Sequence, residues 1–432
     1  MDFPLYEIAR SVLGNAPQVM WNPGLGVRFV FYWAMAFFVF SQYRKTAAMQ
    51  AQLYGKPRRD PLTAIMVSVL EGLGVGIVGS FVMTFFGVSF LPDGSGLMWV
   101  LGTALVLMAV NPRLMCFSYA GGLVSLSYLV LGFPDVSVPA LMGLVAVLHL
   151  MESLLILFTG AAGATPVYLE HKGRQVGGFY LQRAWPVPVS LLILAVVSPA
   201  DAAQGVAMPE WWPLLRTSPA ILAHPGAVFF LHALPAALGY GDLAVTCPPE
   251  VKARRTARNL AVYSLVLLGL SVAATHYSAL VWFTALFAPL AHEAIVRLGS
   301  SREMRGQASF VPPETGVMAL DVVPGSIAAR IGLGPGWVIT EVGGHAVTGK
   351  VQMEEALARA GQMGALTLTA RPPWPSRARA RPEPRLLTVE GFGGVLGVIP
   401  VPEPGDDMGL GFITASPIAV FARKVFGKKS PK

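Results

Sequence analysis

Before residue 300 the chain consists of long apolar runs, separated by short loops that carry clusters of Lys and Arg. Crossing a bilayer takes about 20 apolar residues, and backbone groups in lipid must hydrogen-bond to one another. Of all residues, 54% are hydrophobic and 13% are charged, whereas a soluble domain is about one-quarter charged. The sequence therefore predicts an α-helical polytopic membrane domain over 27–300, followed by a soluble domain.

The basic loops alternate in a way that predicts about nine crossings, with the C-terminal part in the cytoplasm. Trp185–Pro199 is short and contains Pro186 and Pro188. If that run is re-entrant, the count becomes about eight and the N-terminus moves inside. Residues 1–26 are mildly amphipathic and predict an interfacial segment. The predicted crossings are Val27–Tyr43, Leu62–Leu91, Leu97–Val110, Leu114–Leu131, Ala140–Phe158, Trp185–Pro199, Gly226–Leu243, Leu260–Ala274 and Ala279–Leu298.

The formal net charge is +8, from 32 basic and 24 acidic residues. Because the basic residues lie in loops between apolar runs, membrane orientation explains this excess, and no nucleic-acid partner is predicted. The two cysteines, Cys116 and Cys247, have neither a metal-ligand nor a disulfide spacing. The sequence therefore predicts no bound metal and no cofactor.

The ionisable side chains inside the predicted membrane domain require an explanation, because burying a charged group in lipid costs free energy. The motif H-E-x-x-H starts at His292 but has Val296 at its last position, and H-x-x-E-H starts at His149 but ends in Ser153. We predict a structural polar cluster and no catalytic residues; a metal held by His149, Glu152 and His292, or a substrate channel, are the alternatives. The residues of this predicted cluster are Glu71, His149, Glu152, His292 and Glu293.

In the stretch from Gly316 to Gly344, strand, turn and helix patterns agree. Alternation over Val317–Val322 predicts a half-buried strand, and Ser326 is placed to cap a short helix over Ile327–Ile331. Trp337–Val342 predicts a second strand. The turn and cap positions behind this prediction are Pro324, Gly325, Ser326, Gly332, Leu333 and Gly336.

This stretch resembles the bacterial form of the PDZ domain, which has a strand, PGS-x-A, a short helix ending in GL, then G-D-x-I and N-G. Trp337 stands where the family usually has Asp, and Gly343 where it usually has Asn. The resemblance implies a small α+β PDZ domain over 307–401. An unrelated small domain of helix and sheet is the alternative.

A PDZ domain implies a peptide-binding groove between a helix and a sheet edge, with a loop that holds the ligand's carboxylate. Strands are predicted at Ala365–Ala370 and Arg385–Val389, and Leu396-Gly397-Val398-Ile399 is the predicted carboxylate loop. Gly409–Phe412 (GLGF) is the alternative loop, and a groove that binds an internal segment or nothing stays open. The predicted groove helix, Val351–Ala360, presents an apolar stripe of Met353, Ala356, Leu357 and Ala360.

The remaining segments after the membrane domain are basic. Pro372–Pro384 predicts a solvated hairpin tip or insertion. Within the C-terminal tail 402–432, Ile418–Lys432 alternates apolar with basic residues. Such a tail favours an interfacial helix on anionic lipid. Membrane lipid is therefore a predicted partner, and the oligomeric state is left open.

Site-2 proteases also join membrane helices to a PDZ domain. They require an early H-E-x-x-H and an Asp-bearing membrane motif after that domain, and the sequence predicts neither. The run Ala288–Glu293 (APLAHE), the membrane helices and the C-terminal PDZ-type stretch together resemble the MinJ family, bacterial determinants of division-site placement. That resemblance implies a non-enzymatic adaptor for DivIVA-type and MinC/MinD-type proteins. The alternatives are a divergent intramembrane metalloprotease and a transporter with a regulatory PDZ domain.

Overall fold

A computed structural model describes residues 3–92, 95–198, 206, 208–215, 219–373 and 383–406. The alternative loop Gly409–Phe412 and the predicted interfacial helix in 402–432 lie outside the described residues from position 407 onward. Most of the predicted insertion Pro372–Pro384 also lies outside them. The helices of the first 305 residues are α1 Leu5–Asn15, α2 Gln18–Trp21, α3 Val27–Tyr54, α4 Pro61–Phe86, α5 Ser95–Val110, α6 Phe117–Leu131, α7 Val138–Thr159, α8 Pro219–Leu222, α9 Pro249–His276 and α10 Ser278–Arg305.

Local signals at both ends fix the limits of α4. The Asp60 carboxylate accepts hydrogen bonds from the N–H groups of Leu62 and Thr63, at 2.9 and 3.3 Å. Pro61 occupies the first helical position, where its missing N–H costs nothing. Gly87 ends the helix at φ +73°, a conformation that glycine adopts without strain.

Within the described ranges, four helices (α4, α7, α9 and α10) are long and apolar enough to cross a membrane. Two shorter apolar helices are α5 and α6. Helix α7 packs against α4, α6, α9 and α10 and is buried along most of its length. These helices agree with a membrane protein, while a count of eight or nine crossings remains a prediction.

A four-stranded sheet lies among these helices, formed by β1 Ser89–Phe90, β2 Thr165–His171, β3 Arg174–Val196 and β4 Ala227–Ala244. Strand β3 pairs antiparallel with β2 from Arg174 to Tyr180 and with β4 from Phe179 to Val196. The short β1 pairs parallel with the end of β3.

Two predicted helical crossings, Trp185–Pro199 and Gly226–Leu243, are wrong, because these runs form β3 and β4. Pro186 and Pro188 lack the N–H that a helix interior needs, and β-branched residues such as Val187 favour a strand. An apolar run of this length has no periodicity that separates a buried strand from a helix. The other predicted crossings are mainly helical, although Leu62–Leu91 leaves α4 at Phe86 and includes β1.

Strand β3 lies directly against α4, and two glycines of that helix allow the close approach. A Cβ on Gly72 would lie 2.3 Å from the Pro186 carbonyl oxygen, and one on Gly76 would lie 2.1 Å from that of Pro188. No real Cβ contact is that short. The helix and strand can therefore pack in this way only because both positions lack a side chain.

The N-terminal segment packs onto the same layer. In α1, Ile8 and Val12 are buried, and the Asn15 amide donates to the Leu231 carbonyl at 3.1 Å. The Ser190 hydroxyl donates to the Asn15 side-chain oxygen at 2.8 Å. An interfacial role for residues 1–26 remains a prediction.

The C-terminal domain is a sheet with two helices, and six of its eight elements coincide with predicted ones. Strands β7 and β10 were not predicted, and β10 includes Val398 and Ile399 of the predicted carboxylate loop. The strand order is β10-β5-β6-β8-β9, all antiparallel, with β7 beside β6. Its own apolar core includes Val317, Ile339, Leu366 and Phe392. The elements are β5 Val317–Val322, α11 Ile327–Arg330, β6 Val338–Val342, β7 His345–Ala346, α12 Lys350–Met363, β8 Ala365–Arg371, β9 Arg385–Glu390 and β10 Val398–Pro400.

The C-terminal domain contacts the helical domain through polar groups on β5 and β10. Asp321 on β5 is 4% exposed and accepts from the Tyr54 hydroxyl at 2.6 Å and from the Arg58 guanidinium at 2.5 Å. The Tyr168 hydroxyl donates to the Pro400 carbonyl at 2.8 Å. The two domains thus share an ion pair between the buried Asp321 and Arg58, in the loop after α3.

Candidate functional sites

The short strand β10 and the loop before it have the form of a ligand-binding sheet edge. Strand β10 ends the sheet order and pairs with β5 along one side. The loop carries left-handed glycines, Gly394 at φ +90° and Gly397 at φ +82°. Among the described residues, the N–H groups of Val395, Leu396 and Gly397 donate no hydrogen bond. Free N–H groups in a glycine loop are what a carboxylate cradle requires.

Gly397 is held against the turn that precedes α11. The Val323 N–H donates to the Gly397 carbonyl, and the Ala328 N–H donates to the Leu396 carbonyl, at 2.8 and 2.9 Å. Ser326 caps α11 by accepting from the Ala329 N–H at 3.3 Å. The motif over Pro324–Gly336 therefore positions the loop through main-chain bonds.

The segment 394–403 follows α12 from one end to the other. A Cβ on Gly361, near the C-terminal end of the helix, would meet Gly394 at 2.6 Å. At the other end, the Lys350 N–H donates to the Glu403 carboxylate at 2.9 Å. The loop and β10 thus run alongside α12, the arrangement that a helix-and-strand groove needs.

All four residues of the predicted apolar stripe on α12 are buried in the core of the C-terminal domain. Of the predicted loop, Leu396 is 2% and Ile399 8% exposed, and Val398 packs partly against the same core. Peptide contact by the stripe remains a prediction. The stripe is Met353, Ala356, Leu357 and Ala360.

The predicted intramembrane polar residues do not form one cluster. Glu71 on α4 pairs with Arg183 at 2.5 Å and accepts from the Trp185 indole N–H at 2.7 Å. These contacts tie α4 to β3 and leave Glu71 engaged away from His149 and His292, so the prediction of a single cluster is wrong. The apolar run that contains Arg183 and Trp185 folds as a strand, and the sequence pattern did not show this.

His149 and His292 do lie together, and Cys116 completes the group. The Cys116 Sγ atom is 3.1 Å from His149 Nε2 and 3.7 Å from His292 Nε2. One ligand atom from each of these residues lies within 4.8 Å of the others. We call this group the Cys–His–His site. Glu152 is one helical turn from His149 on α7.

Glu293, next to His292, has both carboxylate oxygens engaged. Oε1 pairs with Arg113 at 2.8 Å and with Arg297 at 2.5 Å. Oε2 accepts from the Tyr119 hydroxyl at 2.6 Å. These bonds connect α10 to α6 and to the turn that precedes α6. The Glu293 carboxylate therefore has a structural role.

Cys116 was not predicted as part of this group, because it lies on a different element from both histidines. It precedes α6, whereas His149 is in α7 and His292 in α10. A search for ligand spacing along the chain cannot detect a group that three helices assemble.

No family model matches the chain, and no solved structure matches it. The chain is similar to the cell division topological determinant MinJ of Bacillus subtilis (strain 168), with 26% identity over 191 residues. The match covers 43% of this chain and 43% of MinJ, less than half of either protein.

This similarity and the apolar helices agree with a membrane protein related to cell division. They support the coarse form of the MinJ-family resemblance. Binding partners and the number of crossings are finer statements that the match leaves open.

Proposed function

We propose that this chain is a membrane-anchored, non-enzymatic scaffold that helps to place the division site. Its C-terminal PDZ-type domain would bind a partner by adding the partner's extended C-terminal segment to the edge of β10. The similarity to MinJ supports the cellular role. The observation that carries the molecular role is the glycine loop at 394–397, whose free N–H groups lie at the start of that sheet edge.

The geometry of this loop favours a partner that ends in a free carboxylate. Backbone N–H groups in a left-handed glycine loop form a concave site for an anion. Because 394–403 runs along α12, a ligand strand has a helix on one side and β10 on the other. The partners that the family resemblance implies are DivIVA-type and MinD-type proteins.

We further propose that this domain lies in the cytoplasm of a multi-pass membrane protein. Arg297, Arg302 and Arg305 close α10 just before the domain, and basic residues beside a crossing favour the inner face. An exposed Glu354→Cys substitution should react with a membrane-impermeant maleimide only after the cells are made permeable. Labelling of intact cells would contradict this orientation.

The environment of Glu293 supports a scaffold over a metalloprotease. A protease of that class needs a carboxylate that is free to act as a base on water. In Glu293 both oxygens are bonded to Arg113, Arg297 and Tyr119. An intramembrane metalloprotease therefore ranks behind the scaffold.

The proposal is tested by selecting peptides against the full-length protein in detergent, from a library of random heptapeptides with free C-termini. Each selected peptide is synthesised with a free and with an amidated C-terminus, and binding is measured by fluorescence anisotropy. We expect amidation to weaken binding at least about tenfold, since a charge-assisted hydrogen bond is worth about 1.5–3 kcal/mol.

Gly397→Ala should remove this binding, because the new Cβ would lie 2.4 Å from Ser326 Cβ. Gly393→Ala is the matched control, since a Cβ there meets nothing within 4 Å. Peptides that bind equally well as amides, or binding that Gly397→Ala leaves unchanged, would count against the carboxylate loop.

A further inference from the structure

We propose that the Cys–His–His site binds one Zn²⁺ ion within the helical domain. Cys116, His149 and His292 supply one thiolate and two imidazoles from three separate elements. The site goes beyond the scaffold function proposed above and does not depend on it. It also revises the sequence-based prediction that the chain holds no metal.

The spacing of the donor atoms suits a tetrahedral ion. Zinc bonds of about 2.3 Å to sulfur and about 2.0–2.1 Å to nitrogen, at a tetrahedral angle, put sulfur and nitrogen about 3.5 Å apart. The observed separations from Cys116 Sγ are 3.1 Å to His149 Nε2 and 3.7 Å to His292 Nε2. Both sulfur–nitrogen separations therefore lie within a few tenths of an ångström of the value for a tetrahedral zinc ion.

The hydrogen bonds of His149 orient it as a ligand. Its Nδ1 lies 2.7 Å from the Val145 carbonyl oxygen, and because a carbonyl only accepts, Nδ1 carries the proton. Nε2 therefore presents its lone pair to the Cys116 sulfur at 3.1 Å and to the Ser118 hydroxyl at 3.2 Å. A ligating histidine ordinarily gives its other N–H to such a second acceptor, which fixes the ring.

His292 lacks the protein partners that would explain it as a structural histidine. Its Nδ1 is buried and has no hydrogen-bond partner in the described part of the chain. Its Nε2 has the 3.7 Å contact with the Cys116 sulfur. The ring also lies edge-on to Tyr119 and His149, with centroid distances of 5.2 Å to each. Ligation through Nε2 would give this nitrogen a stronger partner than its 3.7 Å contact with the sulfur.

The donor types select the ion. A thiolate with two imidazoles suits zinc, whereas magnesium and calcium prefer oxygen ligands. Binding would release the Cys116 proton, since a coordinating thiol is deprotonated. Three protein ligands leave one position for a water molecule or a ligand. The ion would tie α7 and α10 to the residue that precedes α6.

The test is the zinc content of the full-length protein, purified in detergent without chelators and measured by elemental mass spectrometry. We expect about one zinc per chain in the wild type. Cys116→Ser, His149→Gln and His292→Gln should each lower the content at least about tenfold. The matched controls Cys247→Ser and His232→Gln change the same residue types elsewhere and should retain the metal.

X-ray absorption at the zinc edge of the wild type gives a second measurement that does not depend on a variant's folding. We expect one sulfur neighbour at about 2.3 Å and nitrogen or oxygen neighbours at about 2.0–2.1 Å. Wild-type protein without zinc, zinc without a sulfur neighbour, or zinc that remains when all three ligands are replaced would each overturn the assignment.

Discussion

At the scale of single residues, two features shape the C-terminal domain. One is a glycine position with no room for a side chain, and the other is an ion pair. Gly397 combines φ +82° with contact to Ser326. Lys350 forms an ion pair with Asp406 at the N-terminal end of α12. The first contact shapes the proposed carboxylate loop, and the second fixes the chain that leaves β10.

Gly397→Ala should lower the free energy of unfolding of the C-terminal domain by about 1–3 kcal/mol. The cause is a left-handed backbone together with a Cβ–Cβ distance of 2.4 Å to Ser326. Hydrogen exchange at β5 and β6 in increasing concentrations of urea measures it. Gly393→Ala, in open space, should change stability by less than about 0.5 kcal/mol. Equal effects at the two positions would contradict the described loop.

The ion pair of Asp406 predicts that the stability of the fold depends on pH. Burial raises the pKa of Asp406, but the hydrogen bond and charge of Lys350 and the Glu403 N–H lower it more, so it lies below the ordinary value. A depressed pKa stabilises the fold above the unfolded pKa, about 3.9. That contribution disappears as the pH falls through the folded value.

Wild type should therefore be more stable than Asp406→Asn at pH 7, and the difference should shrink below about pH 4. Thermal unfolding from pH 3 to 7 measures this difference. Glu354→Gln replaces an exposed carboxylate that has no ion pair in the described structure, and it should show no such trend. A constant difference between Asp406→Asn and wild type at every pH would rule out the ion-pair explanation.

At the scale of elements, the contact between α4 and β3 organises the helical domain. Both Gly72 and Gly76 lie against carbonyl oxygens of β3, while Gly74, between them, meets nothing within 4 Å. Alanine substitutions at these three positions therefore distinguish the effect of crowding on stability from the effect of helix propensity.

Gly72→Ala and Gly76→Ala should each destabilise the protein by about 1–3 kcal/mol, because a Cβ would push α4 away from β3. Gly74→Ala is the control, and it should be neutral or stabilise by up to about 1 kcal/mol through helix propensity. Thermal unfolding in detergent ranks the three variants by stability. A stabilising Gly76→Ala would contradict the packing of α4 on β3.

How far the elements could be predicted depended on the signals that each one carries. Caps and turn residues, such as Ser326 and Gly332, mark the ends of α11, so the C-terminal elements could be predicted closely. The runs that form β3 and β4 carry no such signal, and a continuously apolar strand looks like an apolar helix. Cys116 meets the two histidines only after three elements have packed together. The spacing of residues along the sequence does not predict such a group.

At the scale of the whole molecule, composition predicts that the apolar helices and the C-terminal domain are separate regions. It does not predict the contact between them. Asp321 on β5 meets Tyr54 and Arg58 at the end of α3. These residues are distant in sequence, and their types alone do not indicate a pair.

Arg58→Gln should loosen the C-terminal domain, because it leaves the 4% exposed Asp321 carboxylate without its cation. Hydrogen exchange at β5 should become faster, and the free energy of unfolding should fall by about 1–3 kcal/mol. The neighbouring Arg59 is exposed and has no ion pair among the described residues, so Arg59→Gln is the control. Similar exchange in the two variants would show that the pair does not hold the domains together.

The most direct test of the scaffold is the position of a fluorescent full-length fusion in dividing bacterial cells. We predict that the wild type and Gly393→Ala concentrate at division sites, because their carboxylate loop is intact. Gly397→Ala should spread evenly over the membrane at the same expression level. A wild-type fusion that is uniform, or a Gly397→Ala fusion that still concentrates at division sites, would contradict recruitment through this loop.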